Sequence, residues 1–108
     1  MKYSKSANEI KTYKMKDNIL NWAENRGILE SATSLTQLAK LTEELSELVH
    51  ALAMDDKDEV KDAIGDMTVV LIILANLCGL DHDDCLASAY EIISKRSGNM
   101  VNGVFVKD

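Results

Sequence analysis

The chain contains no proline, only five glycines and few aromatics (Trp22, Phe105, Tyr3, Tyr13 and Tyr90) among 108 residues. Without proline, nothing interrupts helix interiors by ring clash and a missing N–H, so long helices are permitted along most of the chain. Scarce aromatics leave a core of Leu, Ile, Val, Ala and Met, which suits helix-on-helix packing better than a β-sandwich. Cysteine is also scarce. Cys78 and Cys85 form no Cys-x-x-Cys pair, and the N-terminal residues are charged and amphipathic. Free thiols and a cytoplasmic, reducing location are the simplest expectation. Positive charge is in deficit as well, with a net charge of -6. Such a field repels nucleic-acid backbones and anionic membranes, so neither is an expected partner. The longest near-apolar run, 67–77, is about half of the ~20 residues a spanning helix needs.

What is present is enough for one globular domain over 1–108, with 46% apolar residues. End signals divide it into four helices. Ser6-Ala7-Asn8-Glu9 has capping-box spacing and opens a helix that reaches about Arg26, with Gly27 as its stop. Ser34-Leu35-Thr36-Gln37 opens a second, ending near Met54. Asp56-Lys57-Asp58-Glu59 opens a third, ending at Gly79. Asp81 caps a fourth that is predicted to run to Ser97 and stop at Gly98. The Asn102-Gly103 pair between apolar residues signals a short C-terminal hairpin, or otherwise an extended tail. The expected class is therefore all-α, a four-helix bundle with a small terminal appendage.

Two of these helices carry the chemistry. Leu38, Leu41, Leu45, Leu48 and Leu52 form a narrow stripe on the second helix, read as core packing. Glu43, Glu44 and Glu47 occupy one ~100° arc of the same helix, about 130° from that stripe. On the third helix Glu59, Asp62 and Asp66 fall within a ~60° arc. An acidic helix face by itself is most often simply solvated. Two such faces on helices joined by a short connection are different, because like charges that oppose each other at partial burial need a cation. Asp66 adjoins the apolar run, which predicts its partial burial. Hard divalent ions take oxygen ligands, and Mg²⁺ suits a site completed by phosphate oxygens. The segment 67–74 is apolar on every side of its helix, which predicts subunit packing around it.

The sequence resembles the MazG-like family of all-α nucleotide pyrophosphohydrolases, whose superfamily includes dimeric dUTPases and phosphoribosyl-ATP pyrophosphohydrolases. Lys40-Leu41-Thr42-Glu43-Glu44-Leu45-Ser46-Glu47 matches its Glu-Glu-x-x-Glu, and Asp62-Ala63-Ile64-Gly65-Asp66 its second motif. The segments 21–28 and 95–107 are similar to small phage and bacterial members. The second motif is usually Glu-x-x-Asp, and Ala63 stands where the first acid belongs. Either Asp62 supplies the missing acid, or Glu59-Val60-Lys61-Asp62 is the motif one turn earlier; Asp62 with Asp66 is preferred, since Asp66 meets the apolar helix as the family's Asp does.

The resemblance implies an Mg²⁺-dependent hydrolase (Mn²⁺ able to substitute) that converts a (d)NTP to a (d)NMP and diphosphate. Glu44, Glu47, Asp62 and Asp66 would hold metal, with Glu43 a further ligand or a water-orienting base. Lys95 and Arg96 are candidate phosphate contacts or, more plainly, complements to a helix dipole. Trp22 offers a stacking surface for a base, although one Trp in an amphipathic helix is more often core or interface. Asn76 is a further candidate substrate contact, or a buried amide needing a partner. Cys78, His82 and Cys85 lack a fourth ligand for zinc. The expected assembly is a homo-oligomer, a dimer or a tetramer. The rival readings are a narrower dUTPase-like or phosphoribosyl-ATP pyrophosphohydrolase specificity, and a catalytically inactive metal-binding or protein-interaction module.

Overall fold

The computed structural model describes residues 7–108, with side chains from residue 15 onward. The Ser6 cap lies outside the described residues. Five helices, α1 (Ala7–Asn25), α2 (Ile28–Ser31), α3 (Ser34–Ala53), α4 (Lys57–Leu77) and α5 (His82–Ile93), precede strands β1 (Gly98–Val101) and β2 (Val104–Lys107). The fold is all-α with a C-terminal hairpin, as expected. The single turn α2 is an addition, using the residues between the Gly27 stop and the α3 cap.

Helix ends explain most of the path. Asp56 and Asp81 cap α4 and α5 by accepting from the amides of Glu59 and Asp83. The α3 cap differs from expectation. Thr33, in extended conformation, accepts from the Thr36 amide, and the Thr36 hydroxyl accepts from the Thr33 amide at 2.9 Å. The reciprocal box is thus Thr33–Thr36 instead of Ser34–Gln37, because the threonine hydroxyl sits close enough to serve both roles. Helices α3 and α4 both close with paired backbone bonds around a left-handed residue. Asp55 (φ 53°) follows α3, where the Asp56 amide donates to the Ala51 carbonyl; Gly79 (φ 73°) follows α4, where the Leu80 amide donates to Ala75. Both are helix stops that satisfy terminal carbonyls. Asp tolerates this backbone where most side chains do not.

The turn 54–56 folds α4 back on α3, and this pair is the most extensive contact in the chain. Its core is built from Ala51, Ala63, Val70, Ile72 and Ile73, joined by Ala23 of α1. Small residues at three of these positions let the helices approach closely. Helix α1 is pinned across the bundle by Lys16, which is buried and donates to Asp81 at 2.7 Å while pairing with Asp83 at 2.9 Å. Those two carboxylates raise the Lys16 ammonium above its ordinary range, and Lys16 in return holds the Asp81 carboxyl below its own.

Helix α5 ends at Ile93, four residues short of the predicted Ser97. Gly98 is therefore not a helix stop but the first residue of β1, paired with Lys107. A Cβ at Gly98 would collide with the Val106 carbonyl oxygen, the Phe105 ring and the Lys107 Cα, so glycine is needed for close strand approach. The Asn102-Gly103 pair forms the expected two-residue turn, both residues having positive φ.

The leucine stripe of α3 is only partly covered. Leu41 and Leu48 are half-buried, whereas Leu38, Leu45 and Leu52 are 50%, 48% and 62% exposed, because α4 packs along the side of α3 that holds Glu44 and Ala51. On α4 the all-apolar segment divides: Val70, Ile72 and Ile73 are buried within the chain, and Leu71 is exposed. Among the described residues the hairpin packs on no other element, and Met100, Val104 and Phe105 are open. Among the described residues, no single helix is long and apolar enough to cross a membrane.

Candidate active site

The α3–α4 pairing brings carboxylates together across the two helices. One oxygen each from Glu44, Glu47 and Asp66 lies within 4.8 Å of the others, a group able to hold a metal ion. Burial falls on a different acid from the one expected. Asp66 is exposed, whereas Glu44 is 5% exposed and sits against the helix interface. Its Oε1 faces the Lys40 ammonium at 3.5 Å, and its Oε2 is buried with no hydrogen-bond partner among the described residues. A buried, unpartnered carboxylate oxygen is costly unless something cationic meets it. Glu44, Glu47 and Asp66 together offer hard oxygen donors, the donor set that a divalent cation of the Mg²⁺ or Mn²⁺ type takes.

The other predicted acids lie around this group. Glu43 is exposed and faces Lys40 at 3.5 Å. Asp62 is exposed and outside the three-residue group; Glu59 lines a cavity of about 780 Å³ together with Glu47 and His50. Ala63 is buried, so the position that departs from the family motif is filled by core methyl packing.

Lys40 connects the acids to a groove of about 520 Å³. Its walls include Trp22, Arg26, Thr36, Gln37, Lys40, Val69 and Ile73, with two cations and no carboxylate. In a chain of net charge -6, that is the chemistry of a site for an anion bearing an apolar part. Trp22 also shares a smaller cavity with Asp66, so the groove touches the carboxylate group at two points. The ring is 47% exposed, and the Arg26 guanidinium lies 5.9 Å from its centroid. Trp22 is therefore neither core nor free surface, but a wall between the acids and the groove.

The remaining predicted contacts are elsewhere in the chain. Asn76 is exposed in a cavity shared with Lys16, Asp81 and His82, and needs no buried partner. Lys95 and Arg96 follow α5, where Lys95 pairs with Glu91 at 3.2 Å. Cys78 and Cys85 are free thiols lining an apolar cavity with His82; among the described residues these three do not converge into a metal-holding group. Lys40 and Arg26 had been given no role from sequence. Their signals were local: Lys40 stands three and four residues before Glu43 and Glu44, and Arg26 four after Trp22.

Residues 24–91 match the model of the phosphoribosyl-ATP pyrophosphohydrolase family, well over half the chain and all of the three-carboxylate group. The chain belongs to that family. It thereby falls in the MazG-like all-α NTP pyrophosphatase superfamily. It is also 44% identical over 64 residues to an uncharacterized 18.2 kDa protein from the rep-hol intergenic region of Haemophilus phage HP1 (strain HP1c1). That alignment covers 59% of this chain and 39% of the phage protein, so the chain spans well under two thirds of this relative. No solved structure matches the chain.

Proposed function

We propose that the chain is a nucleotide pyrophosphohydrolase that converts a (d)NTP and water to a (d)NMP and diphosphate, with Mg²⁺ as cofactor and Mn²⁺ able to replace it. The observation that carries this reading is the buried Glu44 carboxylate: its Oε2 has no hydrogen-bond partner among the described residues, it groups with Glu47 and Asp66, and its Oε1 faces Lys40 of the cationic, aromatic groove. Glu44, Glu47 and Asp66 would hold the metal, and Asp62, four residues before Asp66 on α4, is the proposed fourth acid. Bound there, the cation would lower the pKa of water and stabilise charge on phosphoryl oxygens.

The chain's own residues divide the remaining work. Glu43, exposed beside the metal-holding acids, is placed to accept a proton from an attacking water. Trp22 offers a flat face to a base, backed by Arg26. Arg26 and Lys40 offset the negative field that would otherwise repel a triphosphate. Lys95 and Arg96 are proposed as phosphate contacts supplied from another copy, because in this chain they lie beyond α5, at the base of the hairpin.

A homo-oligomer is part of the proposal, and the exposed apolar side chains of α3, α5 and the hairpin support it. The family match favours one narrower reading, hydrolysis of phosphoribosyl-ATP. Product analysis decides among these readings. The protein is incubated with Mg²⁺ and ATP, the other NTPs, the dNTPs including dUTP, or phosphoribosyl-ATP, and diphosphate is measured. Release from several triphosphates supports the general activity, release from phosphoribosyl-ATP or dUTP alone a narrow one. No release from any leaves the non-catalytic module.

A further inference from the structure

Lys40 is the one groove cation that also touches the acids, and its contacts are long. It lies 3.5 Å from both Glu43 Oε2 and Glu44 Oε1, whereas a charge-assisted hydrogen bond closes to about 2.7–2.9 Å. Its side chain is 52% exposed, on a flexible four-carbon stem. The ammonium thus balances two carboxylates without being fixed to either. The other groove cation, Arg26, is engaged over the Trp22 ring. Among the described residues, no carboxylate lines the groove into which Lys40 reaches.

We propose that Lys40 is an exchangeable counter-ion, paired with Glu43 and Glu44 in the nucleotide-free protein and passing to a substrate phosphate in the groove. The inference rests on the reading of Glu44 as a metal ligand. When a divalent cation meets the Glu44 carboxylate, the charge that held Lys40 is neutralised, and an anion in the groove becomes its better partner. The same residue then serves twice: it limits repulsion among the acids before binding, and it attracts the triphosphate afterwards. A fixed strut that orients Glu44 would require the shorter, directional contact that is absent here.

The two roles predict opposite effects on metal affinity. Mn²⁺ affinity is measured without nucleotide by calorimetry for wild type, Lys40→Met and Lys40→Arg. Affinity for the α,β-methylene analogues of ATP and the four dNTPs is then read at saturating Mn²⁺ from the fluorescence of Trp22, the only tryptophan. Lys40→Met is expected to bind Mn²⁺ as tightly as wild type or more so, since a repelling charge is gone, and to lose about tenfold in analogue affinity. Lys40→Arg is expected to keep most of the analogue affinity. Weaker Mn²⁺ binding by Lys40→Met, or analogue affinity unchanged in it, overturns the proposal. A wild-type protein that binds neither Mn²⁺ nor any analogue overturns the underlying functional reading instead, and this inference with it.

Discussion

Glu44 on α3 and Asp66 on α4 bring carboxylate oxygens within 4.8 Å of each other, although 22 positions separate them in the chain. Only the turn at 54–56 makes that meeting possible, and only Glu44 meets it from a buried position. The asymmetry separates the consequences of losing each acid. Glu44→Gln keeps the shape but removes the charge, and is expected to cost about a hundredfold or more in turnover, the scale seen when one group stabilising transition-state charge is lost. Because the helix interface then holds a neutral amide, melting temperature should not fall in metal-free buffer. Thermal unfolding followed by circular dichroism checks this.

Glu47→Ala is expected to abolish turnover with the helical circular dichroism intact, since Glu47 is an exposed member of the same group. Asp62→Ala and Glu59→Ala separate the two registers of the second motif. Whichever substitution leaves steady-state turnover unchanged removes that residue from the metal site.

The fold was legible in the sequence wherever a signal was local. Asp56, Asp81 and Asn102-Gly103 each act on their own neighbours, and each behaves as its spacing predicts. The acids of α3 and α4 were legible because helical periodicity places them and a short turn leaves the second helix little choice. Four features were not. Thr33 and Ser34 compete for one capping role, and the choice depends on which hydroxyl Thr36 reaches. Gly98 carries the same letter whether it ends a helix or lets two strands approach. The α3 stripe has a core period, yet α4 packs along the side of α3 that holds Glu44 and Ala51, and that choice is made by tertiary packing. The pairings of Lys40 with Glu43 and Glu44 and of Arg26 with Trp22 have local spacing, but only tertiary packing sets both cations on one groove.

The Lys16 cluster makes stability depend on pH. The Asp81 carboxyl is held below its ordinary range by Lys16 first and by the Asp83 amide second. Its contribution is therefore complete above the unfolded-state carboxylate pKa, about 3.9, and is lost as pH falls through the lower folded value. Lys16 is raised, so its contribution is present below the ordinary lysine range and fades only in strong alkali. Lys16→Met is expected to lower the melting temperature by several degrees at pH 7. The gap between variant and wild type should narrow below about pH 4. A constant gap down to pH 2 would contradict it.

Gly98→Ala tests whether the hairpin is an independent unit. The added methyl meets backbone on the facing strand, so β1–β2 pairing should be lost. Since the hairpin packs on no helix among the described residues, the midpoint of helix unfolding should move little at low concentration. Two-dimensional NMR of the 98–107 amides reports the first effect and circular dichroism the second.

Exposed Leu45 and Leu52 on α3 predict self-association. Sedimentation should give a multiple of the 12.0 kDa chain mass. Leu45→Glu combined with Leu52→Glu is expected to shift the protein toward monomer without loss of helix, because neither side chain belongs to the chain's own core. A wild-type mass near 12.0 kDa would contradict the assembly.

The central claim is that acids of two helices hold a divalent cation at which a nucleotide is cleaved. The measurement that bears on it most directly is diphosphate release from the substrate panel, for wild type and Glu44→Gln, with Mg²⁺ and again with excess EDTA. The account predicts release by wild type with Mg²⁺, none with EDTA, and little or none from Glu44→Gln under either condition. Release undiminished by EDTA, or by the loss of the Glu44 charge, would contradict it.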